Sequence, residues 1–299
     1  MRLIVHMGFH KTASTHLQEL LNRHSSVLAL RGIWYQPQPG YAAHHDTANP
    51  LLVGDAGPFE AMIGEAKAAG AHTMILSSEN LEGVVFNPEI ALLIERVAAD
   101  HGFDAIEWHA VIRAPGAYFE SLHSQLSWHT YADSLTMFSE IMKKGVLFLP
   151  EPHYGPGATP YWFFCFDYHA FLAGFAAMPG RQLFVHDYED RDPYPGWRII
   201  ERLGVLDMLV EQPEEDRCNH RLPRPRAEEH FRARLREAAG DLASWGIVRD
   251  AVETNLAANL ATVPVYAEAV GQRYHASYLT ALEQFGYSDQ QEPRRHASG

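Results

Sequence analysis

The sequence is poor in cysteine and in basic residues. Its 299 residues include two cysteines, Cys165 and Cys218, which are too few for a disulfide framework, so we expect free thiols. The 24 Lys and Arg residues against 37 Asp and Glu residues give a formal charge of −13. This balance argues against a nucleic-acid partner or an anionic-membrane surface, because both recruit clustered Lys and Arg. It leaves room for a local basic pocket that binds a small anion.

Long hydrophobic runs and metal-ligand spacings are also missing. The apolar run 3–5 near the N-terminus ends at His6, so the sequence predicts no export signal. The most apolar stretch, 161–178, is interrupted by Asp167 and is rich in aromatic residues, which favours a buried or pocket-lining helix over a membrane span. No pair among the 18 histidines has ligand spacing on a predicted helix or hairpin. We expect a soluble, cytoplasmic protein without a metal site.

Short apolar runs alternate with helical patterns along the first two thirds of the chain. This alternation predicts an α/β fold with a parallel β-sheet flanked by helices. The predicted strands cover 2–7, 72–77, 105–112 and 182–186, and the predicted helices cover 14–24, 58–69, 88–101, a helix from Pro115, and a short one near 197–203.

Two stretches depart from this alternation. Residues 36–57 are rich in Pro, Gly, His and Asn, and predict an insertion or long loop. After about residue 207 the chain has a basic, proline-punctuated loop at 221–226, helical patterns over 227–287 and a polar, frayed end at 288–299. We therefore predict an α/β domain over 1–210 and a helical C-terminal extension over 211–299, packed on the same domain.

The most informative segment is 7–18, M-G-F-H-K-T-A-S-T-H-L-Q, which runs from a strand through a tight loop into a helix. The free N–H groups and the positive end of the helix dipole then converge on one point, which suits an anion. The side chains that add a charge or hydroxyl donors are Lys11, Thr12, Ser14 and Thr15. The spacing between Gly8 and Lys11 is shorter than in a nucleoside-triphosphate P-loop, and Ala13 stands where a glycine is usual. An accidental Lys-Thr pair at a helix start remains an alternative for this segment alone.

A second segment, 111–124, has the same order of strand, turn and helix. Arg113 ends the predicted strand, and Ser121 follows eight residues later, about two helical turns on. A guanidinium and a hydroxyl in these positions can reach one phosphate, which Arg binds bidentately. The alternatives are a solvated charge at the strand end and a small residue on a packed face.

Together the two segments resemble the sulfotransferases that use 3′-phosphoadenosine 5′-phosphosulfate, in the bacterial form with His10 before the lysine. The family's phosphosulfate loop corresponds to Lys11-Thr12-Ala13-Ser14-Thr15, and its 3′-phosphate pair corresponds to Arg113 and Ser121. Residues 182–190 are similar to the family's late strand ending in Tyr-Glu. The resemblance implies a P-loop-like fold, this nucleotide as sulfuryl donor without a metal ion, and a small-molecule or carbohydrate acceptor.

Sulfuryl transfer needs a cation near the leaving oxygen and a base for the acceptor's proton. Lys11 is the predicted cation. Glu79 is the first candidate base, because it follows the predicted strand 72–77 and so should lie at the sheet's carboxyl edge. A structural Glu at a helix start, capped by Ser78, is the alternative. His44 and His45 in the insertion are rival bases, and His45 is included among the predicted catalytic residues.

Two other functional classes remain open from the sequence. One is a P-loop-type kinase or nucleotide hydrolase, which would need Mg²⁺ and a metal-binding Asp that the sequence does not reveal. The other is a non-catalytic module that binds a nucleotide. The aromatic stretch 161–168 either lines the acceptor pocket or, as the stronger expectation, packs in the core.

Overall fold

The centre of the fold is a parallel sheet built from short, strongly apolar strands. The computed structural model describes residues 1–129, 133–150, 159–209 and 246–287, together with positions 229 and 233. Its strands are β1 (Arg2–Met7), β2 (Ile33–Trp34), β3 (Thr73–Ser78), β4 (Ala105–Ile112), β5 (Val146–Pro150), β6 (Tyr161–Cys165) and β7 (Gln182–Asp187). A five-stranded sheet has the order β2-β3-β1-β4-β7 with every pairing parallel, and β5 pairs antiparallel with β6.

Helices cover both faces of this sheet. They are α1 (Ser14–Arg23), α2 (Ser25–Leu30), α3 (His45–Leu52), α4 (Gly57–Ala68), α5 (Pro88–Asp100), α6 (Pro115–His129), α7 (Ser134–Lys144), α8 (Tyr168–Ala176), α9 (Trp197–Arg202) and α10 (Gly246–Phe285). A 3₁₀ helix, Glu79–Val85, follows β3 directly. One apolar cluster joins the sheet to α1 and α9, and a larger one joins the other face to the helices from α3 to α8 and to α10.

The central strand β1 shows why the sheet forms. Leu3, Val5 and Met7 belong to the larger apolar cluster, whereas Ile4 belongs to the cluster under α1 and α9. All four side chains are fully buried. A strand covered on both faces needs a continuous apolar run rather than an alternating one, and this is the pattern of buried parallel sheets.

The C-terminal helix α10 packs against α6, α7, α8 and β7. Glycine permits the closest part of this contact, since a Cβ placed on Gly116 would lie 2.6 Å from the carbonyl oxygen of Ala267. The Cα of Gly116 also lies 3.5 Å from the position that a Cβ on Gly271 would take. Small residues on both helices therefore let the start of α6 lie directly on α10.

The main elements predicted from the sequence are present, with ends that differ by a residue or so. The strand predicted at 72–77 is Thr73–Ser78, and the helix predicted at 14–24 is Ser14–Arg23.

Within the part of the chain that the structure describes, none of the helices is long and apolar enough to cross a membrane. The predictions for 221–226, 288–299 and Cys218 lie outside the described residues, while Cys165 is a free, buried thiol.

Two predictions about local structure are wrong. For the segment 36–57, predicted as an insertion or a long loop, the long loop is wrong, because α3 (His45–Leu52) lies inside it and buries Ala48 and Leu51 against the core. The aromatic stretch 161–178 is not one helix: β6 covers its first five residues, and α8 begins at Tyr168. Aromatic residues favour strands when a neighbouring strand is available, and β5 provides that neighbour. The sequence patterns also missed α2, α7, β2 and β5.

Candidate functional site

The predicted loop around Lys11 and the predicted residues Glu79 and Arg113 directly follow the carboxyl ends of the three central strands. Met7 pairs with Ser78 of β3 on one side and with Ala110 of β4 on the other. The loop from Gly8 to Ala13 therefore leaves the sheet between Glu79, which follows β3, and Arg113, which follows β4. Ligands of open α/β sheets bind at this edge, where neighbouring loops diverge.

The loop that follows β1 has an unusual backbone. Lys11 and Ala13 have φ angles of 60° and 65°, in the left-handed region that non-glycine residues rarely adopt. Such strain costs about 1–3 kcal/mol per residue, and it persists where the surroundings fix the backbone, as at binding sites. Gly8 also permits a tight approach, because a Cβ there would lie 2.6 Å from Ser14 Oγ. The loop is thus held in one particular shape.

The predicted hydroxyl donors of the loop have different surroundings. Thr12 Oγ1 donates to the Phe9 carbonyl oxygen at 2.5 Å, and Ser14 Oγ lies 3.4 Å from the same oxygen. Both residues are buried, and their hydroxyls close the turn from inside. Thr15 lies in the first turn of α1 and is half-buried, and Ala13 occupies the N-cap position before that helix.

Arg113 joins the two sequence segments. Its Nη1 donates to the Lys11 carbonyl oxygen at 3.1 Å, and its guanidinium lies over the Tyr188 ring, 4.6 Å from the ring centre. Arg113 Nε is buried and, among the described residues, has no hydrogen-bond partner. The guanidinium therefore supports the loop with one N–H group and keeps another free for an acceptor. Ser121 lies half-buried in the second turn of α6.

The charges near Lys11 act on one another. Burial lowers the pKa of Lys11 below its usual value, and the positive charge of Arg113 lowers it further, while the carboxylate of Glu79 raises it in part. The Lys11 ammonium is therefore a partly desolvated cation with a second cation beside it. Negative charges of a ligand beside Lys11 and Arg113 would offset this repulsion.

Glu79 has partners on two sides. Gln18 Nε2 donates to Glu79 Oε2 at 3.1 Å and also to Ser77 Oγ at 3.1 Å. His45 Nε2 lies 3.8 Å from the same Glu79 oxygen, and His45 Nδ1 is 2.9 Å from Ser78 Oγ. Both side chains keep part of their surface exposed, 17% for Glu79 and 30% for His45. The structure thus brings together two of the three residues that the sequence proposed as catalytic base candidates, Glu79 and His45.

Ser78 and His44 make hydrogen bonds that fix the backbone next to Glu79 and His45. Ser78 Oγ accepts a hydrogen bond from the Asn80 N–H at 3.2 Å and so caps the 3₁₀ helix. A helix start capped by Ser78 is the structural alternative that the sequence analysis considered for Glu79. His44 Nδ1 accepts from the Ser77 N–H at 3.2 Å, and the His44 N–H donates to the Ser77 carbonyl at 2.8 Å. Burial lowers the pKa of His44 to about 4. His44 is therefore a neutral, anchored histidine, and His45 is the accessible one.

Sequence reasoning missed Glu82, which is fully buried in the 3₁₀ helix. One of its oxygens accepts from His10 N at 3.0 Å and lies 2.8 Å from His10 Nδ1, and the other accepts from Cys165 N at 2.6 Å. Tyr118 Oη lies 3.3 Å from both oxygens. The available signal was the acidic residue three positions after Glu79, together with a histidine directly before Lys11.

Two further features complete the surroundings. A groove of about 780 Å³ lies between the start of α6 and α10, lined by Ala114, Pro115, Gly116, Glu120, Glu268 and His275 among others. Within the described ranges, no group of three or more His, Cys, Asp or Glu side chains is arranged to hold a metal ion.

Comparison of the chain with protein-family models, with curated proteins and with solved structures found no match.

Proposed function

We propose that this protein is a sulfotransferase that moves a sulfuryl group from 3′-phosphoadenosine 5′-phosphosulfate to a hydroxyl or amine of a small-molecule or carbohydrate acceptor. The observation that carries the proposal is the position of Arg113, which binds the Lys11 carbonyl with Nη1 and keeps Nε without a protein partner among the described residues. We further propose that the sheet and its helices form the P-loop-like fold of sulfotransferases and that the protein is cytoplasmic.

The donor's two charged ends need separate cations, and the site has two. The loop N–H groups, the start of α1 and Lys11 suit the 5′-phosphosulfate. Arg113 and Ser121 suit the 3′-phosphate, since a guanidinium with a free N–H offers directed donors to phosphate oxygens. The lowered pKa of Lys11 fits a site that an anion completes.

In the transfer step, the acceptor oxygen or nitrogen attacks sulfur as the bond from sulfur to the bridging phosphate oxygen breaks. Negative charge grows on that bridging oxygen, and Lys11 stabilises it as 3′-phosphoadenosine 5′-phosphate leaves. Glu79 takes the proton that the acceptor loses. Gln18 and His45 orient the carboxylate, because both contact Glu79 Oε2.

Thermal denaturation with two nucleotides tests the donor. We expect 3′-phosphoadenosine 5′-phosphate to stabilise the protein by about 2.7 kcal/mol at 100 times its Kd, and ATP with Mg²⁺ to stabilise it much less. Equal or greater stabilisation by ATP with Mg²⁺ would favour a P-loop kinase or hydrolase and refute the proposal.

Arg113→Gln tests the assignment of the 3′-phosphate. This variant should bind 3′-phosphoadenosine 5′-phosphate and adenosine 5′-phosphate with similar affinity, whereas the unmodified protein should prefer the first by ~10-fold or more. Arg96→Gln is the matched control, since Arg96 lies exposed on α5. A preference that survives in the Arg113 variant would remove Arg113 from the phosphate site. Binding of the nucleotide without turnover on an acceptor panel would instead indicate a non-catalytic module.

A further inference from the structure

The buried carboxylate of Glu82 lies beside the predicted site and has hydrogen-bonding partners at both oxygens. It is 0% exposed, and the groups around it come from three other parts of the chain. His10 belongs to the loop after β1, Tyr118 to α6 and Cys165 to β6. Burying a carboxylate is costly unless hydrogen bonds replace its water, and here four donors do so. Glu82 therefore fixes the mutual positions of these elements.

The contact with His10 involves both the backbone and the side chain. His10 N is 3.0 Å and His10 Nδ1 is 2.8 Å from the same Glu82 oxygen. The imidazole also packs edge-on against Trp162 and Phe164, with ring centres 5.6 and 4.8 Å away. Of the described basic side chains, His10 alone makes an ion-pair contact with Glu82. A carboxylate that accepts from Nδ1 sets the tautomer and the ring orientation of the histidine.

His10 directly precedes the strained residue Lys11. The loop has three side-chain anchors on consecutive residues: Thr12 binds the Phe9 carbonyl, Glu82 binds the His10 N–H, and Arg113 binds the Lys11 carbonyl. A backbone with φ of 60° at Lys11 relaxes unless neighbouring groups fix it. Arg113 and Thr12 belong to the predicted phosphate site, whereas Glu82 is assigned to no function so far.

We propose that Glu82 is a positioning residue: through the N–H and Nδ1 of His10 it holds the Lys11 loop in its anion-binding shape. This inference rests on the proposed function, because the value of that shape lies in placing Lys11 against the donor. Glu82 itself does not contact the donor in this proposal. Its removal should thus weaken binding only through the loop that carries Lys11.

The first test measures the loop without any ligand. Amide hydrogen exchange of peptides covering residues 8–13 should be faster in Glu82→Gln, because the glutamine presents its NH₂ group where one of the N–H donors needs an acceptor. His10→Phe, which keeps the aromatic packing, should show a smaller increase. Tyr118→Phe is the matched control, since it removes a Glu82 contact from α6 and leaves the loop contacts in place. Unchanged exchange in both the Glu82 and His10 variants would overturn the proposal.

The second test separates positioning from general destabilisation. We expect Glu82→Gln to weaken binding of 3′-phosphoadenosine 5′-phosphate by ~10-fold in the intact chain and much less in a Lys11→Ala chain, because residues that act as a unit are not additive. The same loss in both chains, or an equal loss in Tyr118→Phe, would refute the inference. If the unmodified protein does not bind this nucleotide, the proposed function fails, and the exchange measurement alone decides whether Glu82 anchors the loop.

Discussion

The charged groups at the carboxyl edge of the sheet differ from those on β4 near its amino end. Near the amino end of β4, Arg202 donates to both oxygens of Glu107, at 3.1 Å each, and Arg2 lies 3.8 Å from the same carboxylate. Burial alone raises the pKa of Glu107, but hydrogen bonds from His109 and Arg202 outweigh it and lower the pKa to about 2. That cluster satisfies its own charges and needs no ligand.

At the carboxyl edge, Lys11 lies beside a second cation, Arg113, and the carboxylate of Glu79 offsets the resulting pKa shift only in part. Arg113 Nη1 binds a backbone carbonyl, and Arg113 Nε stays without a partner among the residues described. Desolvation and the Arg113 charge together lower the pKa of Lys11. The comparison favours the carboxyl edge over the Glu107 cluster as the place where an anionic ligand would bind, because a buried N–H of Arg113 still lacks an acceptor among the described residues.

The largest expected effect is on turnover when Lys11 is replaced. Lys11→Ala should lower the rate of sulfuryl transfer by ~10²-fold or more, as when one preorganised donor is lost at a growing charge. Donor affinity should fall less, because Arg113 and the loop N–H groups remain. The measurement is transfer from labelled donor across an acceptor panel, with the exposed Lys144 replaced by Ala as the control. A nearly normal rate in Lys11→Ala would remove Lys11 from the mechanism.

The next effect distinguishes the two base candidates. Glu79→Gln should keep donor binding and thermal stability yet lose ~10-fold or more of turnover, because the amide cannot accept the acceptor's proton. His45→Ala should lose less, since His45 lies 3.8 Å from Glu79 and orients it in this proposal. If Glu79→Gln is nearly silent and His45→Ala is severely impaired, the base is His45. His44→Ala should mainly reduce stability, because its bonds go to the Ser77 backbone.

The smallest expected effect on activity comes from replacing Glu107, whose charge is already paired with Arg202 and Arg2. Glu107 has a folded pKa of about 2, below its usual 4.5, so it stabilises the fold above pH 4.5 and loses this contribution as the pH falls towards 2. Glu107→Gln should reduce the free energy of unfolding at pH 7 by about 3 kcal/mol and should flatten its fall between pH 4.5 and 2. Turnover at pH 7, measured per folded molecule, should stay within about twofold of that of the unmodified protein.

Buried histidines predict a second acid dependence of stability, which begins at a higher pH than that of Glu107. Burial lowers the pKa of His6 to about 3, and burial also lowers the pKa values of His109 and His186. Because the unfolded chain binds protons near pH 6.5 and the folded chain does not, these residues stabilise the fold above pH 6.5. Chemical denaturation should show this contribution falling as the pH drops from 6.5 towards 3. A flat profile between pH 6.5 and 5 would contradict these buried, neutral states.

The sequence predicted the elements that depend on local pattern. The apolar run of β1, the Gly8 turn and the position of Glu79 after β3 follow from neighbouring residues, and the structure has them. Glu82 was beyond such reasoning, because its burial depends on Tyr118 and Cys165, which are 36 and 83 residues away. The stretch 161–178 was misread for a related reason, since aromatic residues fit a helix or a strand until β5 decides. The roles of Lys11, Ser121 and the other site residues stay predictions.

The contact between Gly116 and α10 makes the C-terminal part of the chain hard to exchange. Gly116 lies three residues after Arg113, and the Ala267 carbonyl occupies the space that any side chain at 116 would need. A different C-terminal segment would have to present a similarly small surface to the start of α6, or it would tilt the helix that carries Ser121. The α/β part and α10 are therefore expected to diverge together among relatives, as one inherited unit rather than as an interchangeable pair.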